Sequence, residues 1–285
     1  MPHLNKRRAL LISALCTPLV SFAAEDTQEP LEIGILPNNS ARSLLAQYEP
    51  MRRFLERVLN RKVQMSTAQS WEVFHQRTLD KEYDVVITAV HLGRVAEIDS
   101  GYRPLLIYKP YIKGLIAYAN KTPITSITAI KNQTIVLSNP KSLVTIKGME
   151  WLAEKNLRPE RDFKTIDTPT DDSVGNVIVR GDAIAAMLSS GEYRAIPDQI
   201  KSQISLLTSF GEVPGFLVMT SPKVTKSKSD EFKKRMVEFA DSSEEGKQFF
   251  AGTGFTAIAE IPPGVLESMD AYLARTRDSL VIKKK

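Results

Sequence analysis

Residues 31–40 read LEIGILPNNS and residues 133–142 read QTIVLSNPKS. Each is an apolar run of strand length broken by a turn of Asn, Pro and Ser, and each is followed by a stretch with helical spacing. In the first half, 62–65 reads as a second strand, 66–70 as a polar turn, 71–79 as a helix and 83–90 as a third strand, apolar except for Asp84 and Thr88. The second half repeats the order. Residues 143–154 read as a helix with Ile146, Met149 and Leu152 on one face, 163–166 as a strand, 173–180 as a helix stopped by Gly181, and 182–188 as a third strand. Asn38 and Asn139 are 101 residues apart, Asp84 and Asp182 are 98 apart, and the two series therefore run at nearly one offset. Any two α/β segments look alike at this level, so duplication is weighed against simple recurrence. Either way, strands alternating with helices predict an α/β fold with mainly parallel sheets flanked by helices.

Around these series the chain is simpler. Residues 111–119 and 205–220 are apolar and interrupted by Gly114, Gly211, Pro214 and Gly215; they read as two crossings between lobes. Helices over 230–239, 244–250 and 263–275 are expected to pack back on the first lobe. The division expected is a signal at 1–23, a first lobe from 24–113 and 218–285, and a second lobe of 114–217. The signal is read from Lys6, Arg7 and Arg8, the apolar stretch 9–20, and Ser21-Phe22-Ala23 as a cleavage site. That stretch is short for a membrane span, which leaves an anchor as the lesser reading. Arg7-Arg8 matches a twin-arginine signal only in part, and Leu15 before Cys16 does not suit a lipoprotein. The expected location is the periplasm.

Removing the three basic residues of the signal lowers the net charge from +5 to +2. Such a balance excludes nucleic acid as an expected partner. The only cysteine, Cys16, lies in the signal, so no disulfide or thiol chemistry is expected beyond it. Three histidines, His3, His75 and His91, offer too little for a metal site, and no metal or other cofactor is expected.

Four strand-to-helix turns should face a cleft between the lobes, where free N–H groups and helix dipoles suit an anion. Asn38, Asn39 and Ser40 stand at the first turn. Ser70 and Trp71 stand at the second, and Lys141, Ser142 and Thr145 at the third. The fourth holds Thr170, Asp171, Asp172 and Ser173. Helix capping alone accounts equally well for Ser40, Ser70, Ser142 and Ser173. Thr88 and His91, at the end of the third strand, are expected on the cleft floor. Tyr108, Tyr111 and Lys113 are expected on its rim. Lys141 is the one cation of the four turns, whereas Asp171 and Asp172 would favour a ligand with donor groups such as an amine. No G-x-S-x-G, H-E-x-x-H, phosphate-loop or dinucleotide-binding pattern occurs, so no catalysis is expected.

The opening strand with Tyr48-Glu49-Pro50 and Phe54-Leu55-Glu56, then Tyr83-Asp84-Val85-Val86, Ser138-Asn139-Pro140-Lys141-Ser142 and Val179-Arg180-Gly181-Asp182-Ala183 carry a resemblance. In order and spacing they resemble the periplasmic phosphate/phosphite/phosphonate-binding family of transporter-associated proteins. The resemblance spans about Leu31 to Ala274 and implies the two-lobed type II periplasmic binding-protein fold, capture of a small anion and delivery to a membrane permease of the ABC type. The family's third turn is commonly D-P-x-S-T-S-G, whose hydroxyls hold the phosphonate head. Here Asn139 to Thr145 matches it only at Pro140 and Ser142. A family tyrosine falls near Gly93, a histidine near Asp171 and an acidic residue near Ile184. The implied ligand therefore stays open between an oxyanion and another small polar solute. A sensor module reporting to a membrane receptor or histidine kinase is the second function expected. An enzyme of the same architecture is the third, and it lacks the histidines and cysteine such enzymes use. The protein is expected to act as a monomer.

Overall fold

The computed structural model describes residues 29–168 and 173–281. The segment read as a signal, the three lysines at 283–285, and Thr170, Asp171 and Asp172 lie outside the described residues. The chain opens with β1 (Leu31–Ile35), α1 (Ala41–Leu59), β2 (Val63–Ser66), α2 (Trp71–Leu79), β3 (Val85–Thr88), α3 (Val90–Ser100), β4 (Arg103–Lys109) and β5 (Ile112–Ala119). Next come β6 (Thr134–Leu137), α4 (Leu143–Glu154), β7 (Lys164–Asp167), α5 (Val174–Arg180), β8 (Ala185–Ser189), α6 (Ser190–Ala195), α7 (Asp198–Lys201) and β9 (Ile204–Val213). It closes with β10 (Leu217–Thr220), α8 (Lys226–Ser242), α9 (Glu244–Thr253), β11 (Ala257–Ala259) and α10 (Leu273–Ser279).

Local chemistry sets the boundaries. Ser40 caps α1 by accepting from the Ser43 N–H, and Asn60 in the left-handed region ends it. Leu44, Tyr48, Met51, Phe54 and Leu55 recur every three or four residues along α1 and form its buried face. Gly101 and Gly181, both at positive φ, stop α3 and α5. Two expected boundaries move. The third strand stops at Thr88, because α3 begins directly after Ala89, and His91 is therefore the second residue of a helix. The helix expected at 263–275 begins only after Gly264, whose φ of +79° breaks the helical path. A 3-10 turn over Glu267–Tyr272 then leads into α10.

The strands make two mixed sheets, ordered β11-β4-β10-β3-β1-β2 and β7-β6-β8-β5-β9. Each has a parallel trio at one end, β2-β1-β3 in one and β7-β6-β8 in the other, as the alternation predicted. Their registers correspond: Ile33 and Ile35 pair with Val85 and Ile87, and Ile135 and Leu137 with Ala185 and Met187. Each trio is then extended by antiparallel strands, β10 on β3 and β5 on β8. β5 follows β4 in the chain but pairs in the other sheet, and β10 follows β9 in the same way. The chain thus passes between the sheets twice, at Pro110-Tyr111 and at Pro214-Gly215-Phe216.

Helices cover both faces of each sheet. On one face of the first sheet α1, α8 and α9 enclose Ile33, Tyr48, Phe54, Phe239 and Phe249. Tyr108, expected on the cleft rim, is fully buried in this cluster. The opposite face carries α2, α3 and α10, and its cluster also takes in Leu143, Val144 and Ile146 from α4. The start of α4 belongs to the second sheet's unit, so this one cluster spans both halves of the chain.

Gly215 sits at the second crossing, where an added Cβ would lie 2.3 Å from the Tyr108 carbonyl oxygen. That oxygen is fixed backbone of β4, and the Tyr108 N–H donates to the Phe216 carbonyl beside it. Gly215→Ala is expected to cost about 1–3 kcal/mol through overpacking. The check is a urea titration, in which the midpoint falls while the slope is retained.

Candidate functional site

The carboxyl ends of β1, β3, β6 and β8 meet in a cleft between the two sheets, where ligands of open α/β sheets collect. The cleft has a main chamber of about 590 Å³ and a second chamber of about 400 Å³. Asn38, Asn39 and Trp71 line both and stand between them. Trp71 is tied to the first turn, its indole N–H donating to the Pro37 carbonyl at 3.1 Å.

The expected residues separate into three groups. Asn38, Asn39, Trp71, Tyr111 and Ser142 line the main chamber. Ser40, Ser70 and Lys141 line the second. Thr88, His91 and Thr145 line neither. Thr145 is occupied by capping: its N–H and hydroxyl both meet the Ser142 hydroxyl, at 3.1 Å. Thr88 lies inside β3 and its hydroxyl has no hydrogen-bond partner among the described residues. His91 is buried because α3 starts so early, and its Nε2 donates to the Lys141 carbonyl at 3.1 Å. A carbonyl only accepts, so Nε2 carries the proton of a neutral ring.

Several contacts hold the two halves together around this cleft. The Lys141 ammonium pairs with Glu72, on the first turn of α2, at 2.9 Å. The lone cation of the turns is therefore engaged across the cleft. Arg194 of α6 donates to the Thr253 carbonyl at 2.9 Å. Its guanidinium occupies the space beside Gly254, where a Cβ would come within 1.6 Å of it. The Tyr272 hydroxyl donates to Glu150 at 3.1 Å, and Lys147 sits over the same ring.

The turns after β3 and β8 also line the main chamber; the sequence placed Thr88 and His91 at the first of them, where Ala89 and Val90 form the wall instead, and did not reach the second. Ala89 begins α3 without any side-chain cap, which leaves the first N–H groups of an 11-residue helix without side-chain acceptors. After β8, Ser189 and Glu192 form a reciprocal capping box around α6. The Ser-x-x-Glu spacing directly behind an apolar strand was the available signal. Glu192 also accepts from the Ser138 hydroxyl at 2.8 Å, and burial raises its pKa. The charged side chains lining the main chamber are two cations, Lys113 and Arg194, and two carboxylates, Glu192 and Glu212. Most of the remaining wall is apolar, with Tyr48, Trp71, Tyr111, Phe216 and Phe255 contributing rings.

This arrangement can hold a molecule by helix N-termini, amides and apolar walls. No group of three or more potential metal ligands occurs among the described residues. His75 and His91 are both pushed down to about 4 by burial.

A family model described as ABC transporter, phosphonate, periplasmic substrate-binding protein matches residues 33–263. No curated protein matches the chain. PhnD1 from Prochlorococcus marinus, in complex with methylphosphonate, superposes with a TM-score of 0.76 at 12% identity, over 87% of this chain and 98% of that one. A binding-protein component of an ABC phosphonate transporter from Pseudomonas aeruginosa gives 0.75 at 12% identity, over 90% and 91%. A Xanthomonas citri protein bound to ATP gives 0.69 at 16% identity, over 88% and 99%. Likeness at these identities establishes a shared fold.

The two histidines make stability depend on pH. Unfolded imidazoles gain protons near 6.5, whereas the folded ones stay neutral down to about 4. The unfolded state therefore binds more protons in that window, and stability falls as pH drops from 6.5 towards 4. Each histidine is expected to contribute about 1–3 kcal/mol of that loss. Urea midpoints measured across the window are expected to fall, and His91→Gln to flatten the fall.

Proposed function

The chain belongs to the family of periplasmic substrate-binding proteins of phosphonate ABC transporters, and on that premise we propose that it captures an oxyanion-bearing solute between its two sheets for an importer. The observation that carries the reading is the convergence on one cleft of the starts of α1, α3 and α4, beneath a family match over residues 33–263. Free N–H groups at helix starts offer an anion hydrogen bonds and a favourable dipole without requiring a cation. The two units act as lobes that hinge at 110–111 and 214–216 and close over the ligand.

In this reading Asn38, Asn39, Ser142 and the α3 and α4 termini hold the charged head, and Trp71 and Tyr111 form walls. The protein performs no catalysis in this reading, in keeping with a substrate-binding family and with imidazoles that are both buried and line neither chamber. It is exported by the segment 1–23, cleaved after Ala23, and works as a monomer with a membrane permease. The family match favours this importer role over a sensor module.

Thermal unfolding of the exported protein against phosphonates, sulfonates, phosphate, amino acids and amines tests the reading. An oxyanion at a hundredfold excess over its dissociation constant is expected to add about 2.7 kcal/mol of stability. Stabilisation by amines or amino acids alone, with every oxyanion inert, overturns it.

A further inference from the structure

The main chamber is larger and more apolar than a bare phosphorus oxyanion fills. A cavity of about 150 Å³ suffices for benzene, and this one measures about 590 Å³. Chambers in the range of roughly 300–1,000 Å³ are those that enclose drug-sized molecules. Compact oxyanions call for dense donors, and the first turn of α4 does not supply them from side chains. Leu143 and Val144 stand there, behind the single hydroxyl of Ser142, and both line the chamber. The aromatic wall is set by packing. Phe216 and Phe255 meet at 5.9 Å between centroids, and each also meets the buried Tyr108 ring. The lining holds two cations, Lys113 and Arg194, and two carboxylates, Glu192 and Glu212, and the Arg194 guanidinium donates to the Thr253 carbonyl.

We infer that the cargo is an oxyanion carrying an apolar body of at least phenyl size, its head at the helix starts and its body against Tyr111, Phe216 and Phe255. This rests on the oxyanion-capture reading above and narrows it to amphipathic anions. A hydrophobic chamber discriminates by roughly ten- to two-hundredfold per methylene, so even part of a phenyl ring should register. Tyr111 is the ring to test, because it is half-buried at a crossing and can be shortened with little loss of core.

Calorimetric titration of the exported protein with phenylphosphonate, methylphosphonate and inorganic phosphate decides the matter. Phenylphosphonate is expected to bind at least about tenfold more tightly than the other two. Tyr111→Ala is expected to weaken phenylphosphonate about tenfold and methylphosphonate less than threefold, with the unfolding midpoint retained. Equal or tighter binding of methylphosphonate or phosphate overturns the inference and leaves oxyanion capture standing. Silence from all three ligands, with the protein folded, overturns the inference, and silence from sulfonates as well overturns oxyanion capture. An equal loss for both phosphonates in Tyr111→Ala also overturns it, since the ring would then serve the head and not the body.

Discussion

The structure depends on one constraint: each sheet is completed by a strand that the chain delivers from the other half. β5 arrives from the first sheet to pair with β8, and β10 arrives from the second to pair with β3. Neither parallel trio is thus an independent unit, since its inner edge is sealed by a strand whose neighbour in sequence lies across the cleft. Two short backbone passages carry the whole covalent link between the halves. The tight approach of Gly215 to the Tyr108 carbonyl shows how closely the second passage is packed. The ends of β1, β3, β6 and β8 are brought face to face as a result, and the starts of α1, α3 and α4 with them.

The cleft is economical with charge. Lys141 is paired with Glu72, Arg194 donates to a carbonyl, and no histidine lines either chamber. Attraction for an anion then falls to oriented peptide groups, which need no counter-ion and cost nothing to keep unprotonated. The apolar cluster that takes in Leu143, Val144 and Ile146 from the opposite half supplies non-directional adhesion around that polar centre. The contact between the halves is therefore apolar at the periphery and polar at the few groups in the middle.

Where local chemistry governs, the sequence was readable. Ser70 and Ser142 sit as caps where α2 and α4 begin, and Gly181 ends α5, because each acts on residues within a turn of itself. The parallel trios followed from two matching apolar series. What escaped was decided at a distance or by the absence of a loop. β3 runs into α3 with only Ala89 between them, so a residue that looked like the end of a strand became a buried helical histidine. Lys141 looked like a free cation, but its partner Glu72 lies 69 residues earlier and on the other half. Ser189 to Glu192 drew no reading from the sequence, and they reach the chamber because they follow β8, the central strand of its sheet. Asn38, Asn39, Trp71, Tyr111 and Ser142 reached the main chamber as expected because they stand at strand ends or crossings, which topology alone directs there.

The contact between Arg194 and the Thr253 carbonyl has an evolutionary corollary. Its acceptor is main chain, so drift at residue 253 leaves the acceptor in place, whereas changes at residue 194, or at Gly254 beneath it, act on it directly. An apparent dissociation constant scales inversely with the fraction of molecules already in the competent form. A change of the one arginine codon therefore acts at once on this tie between the halves and on the charge of the chamber wall, because Arg194 also lines the chamber.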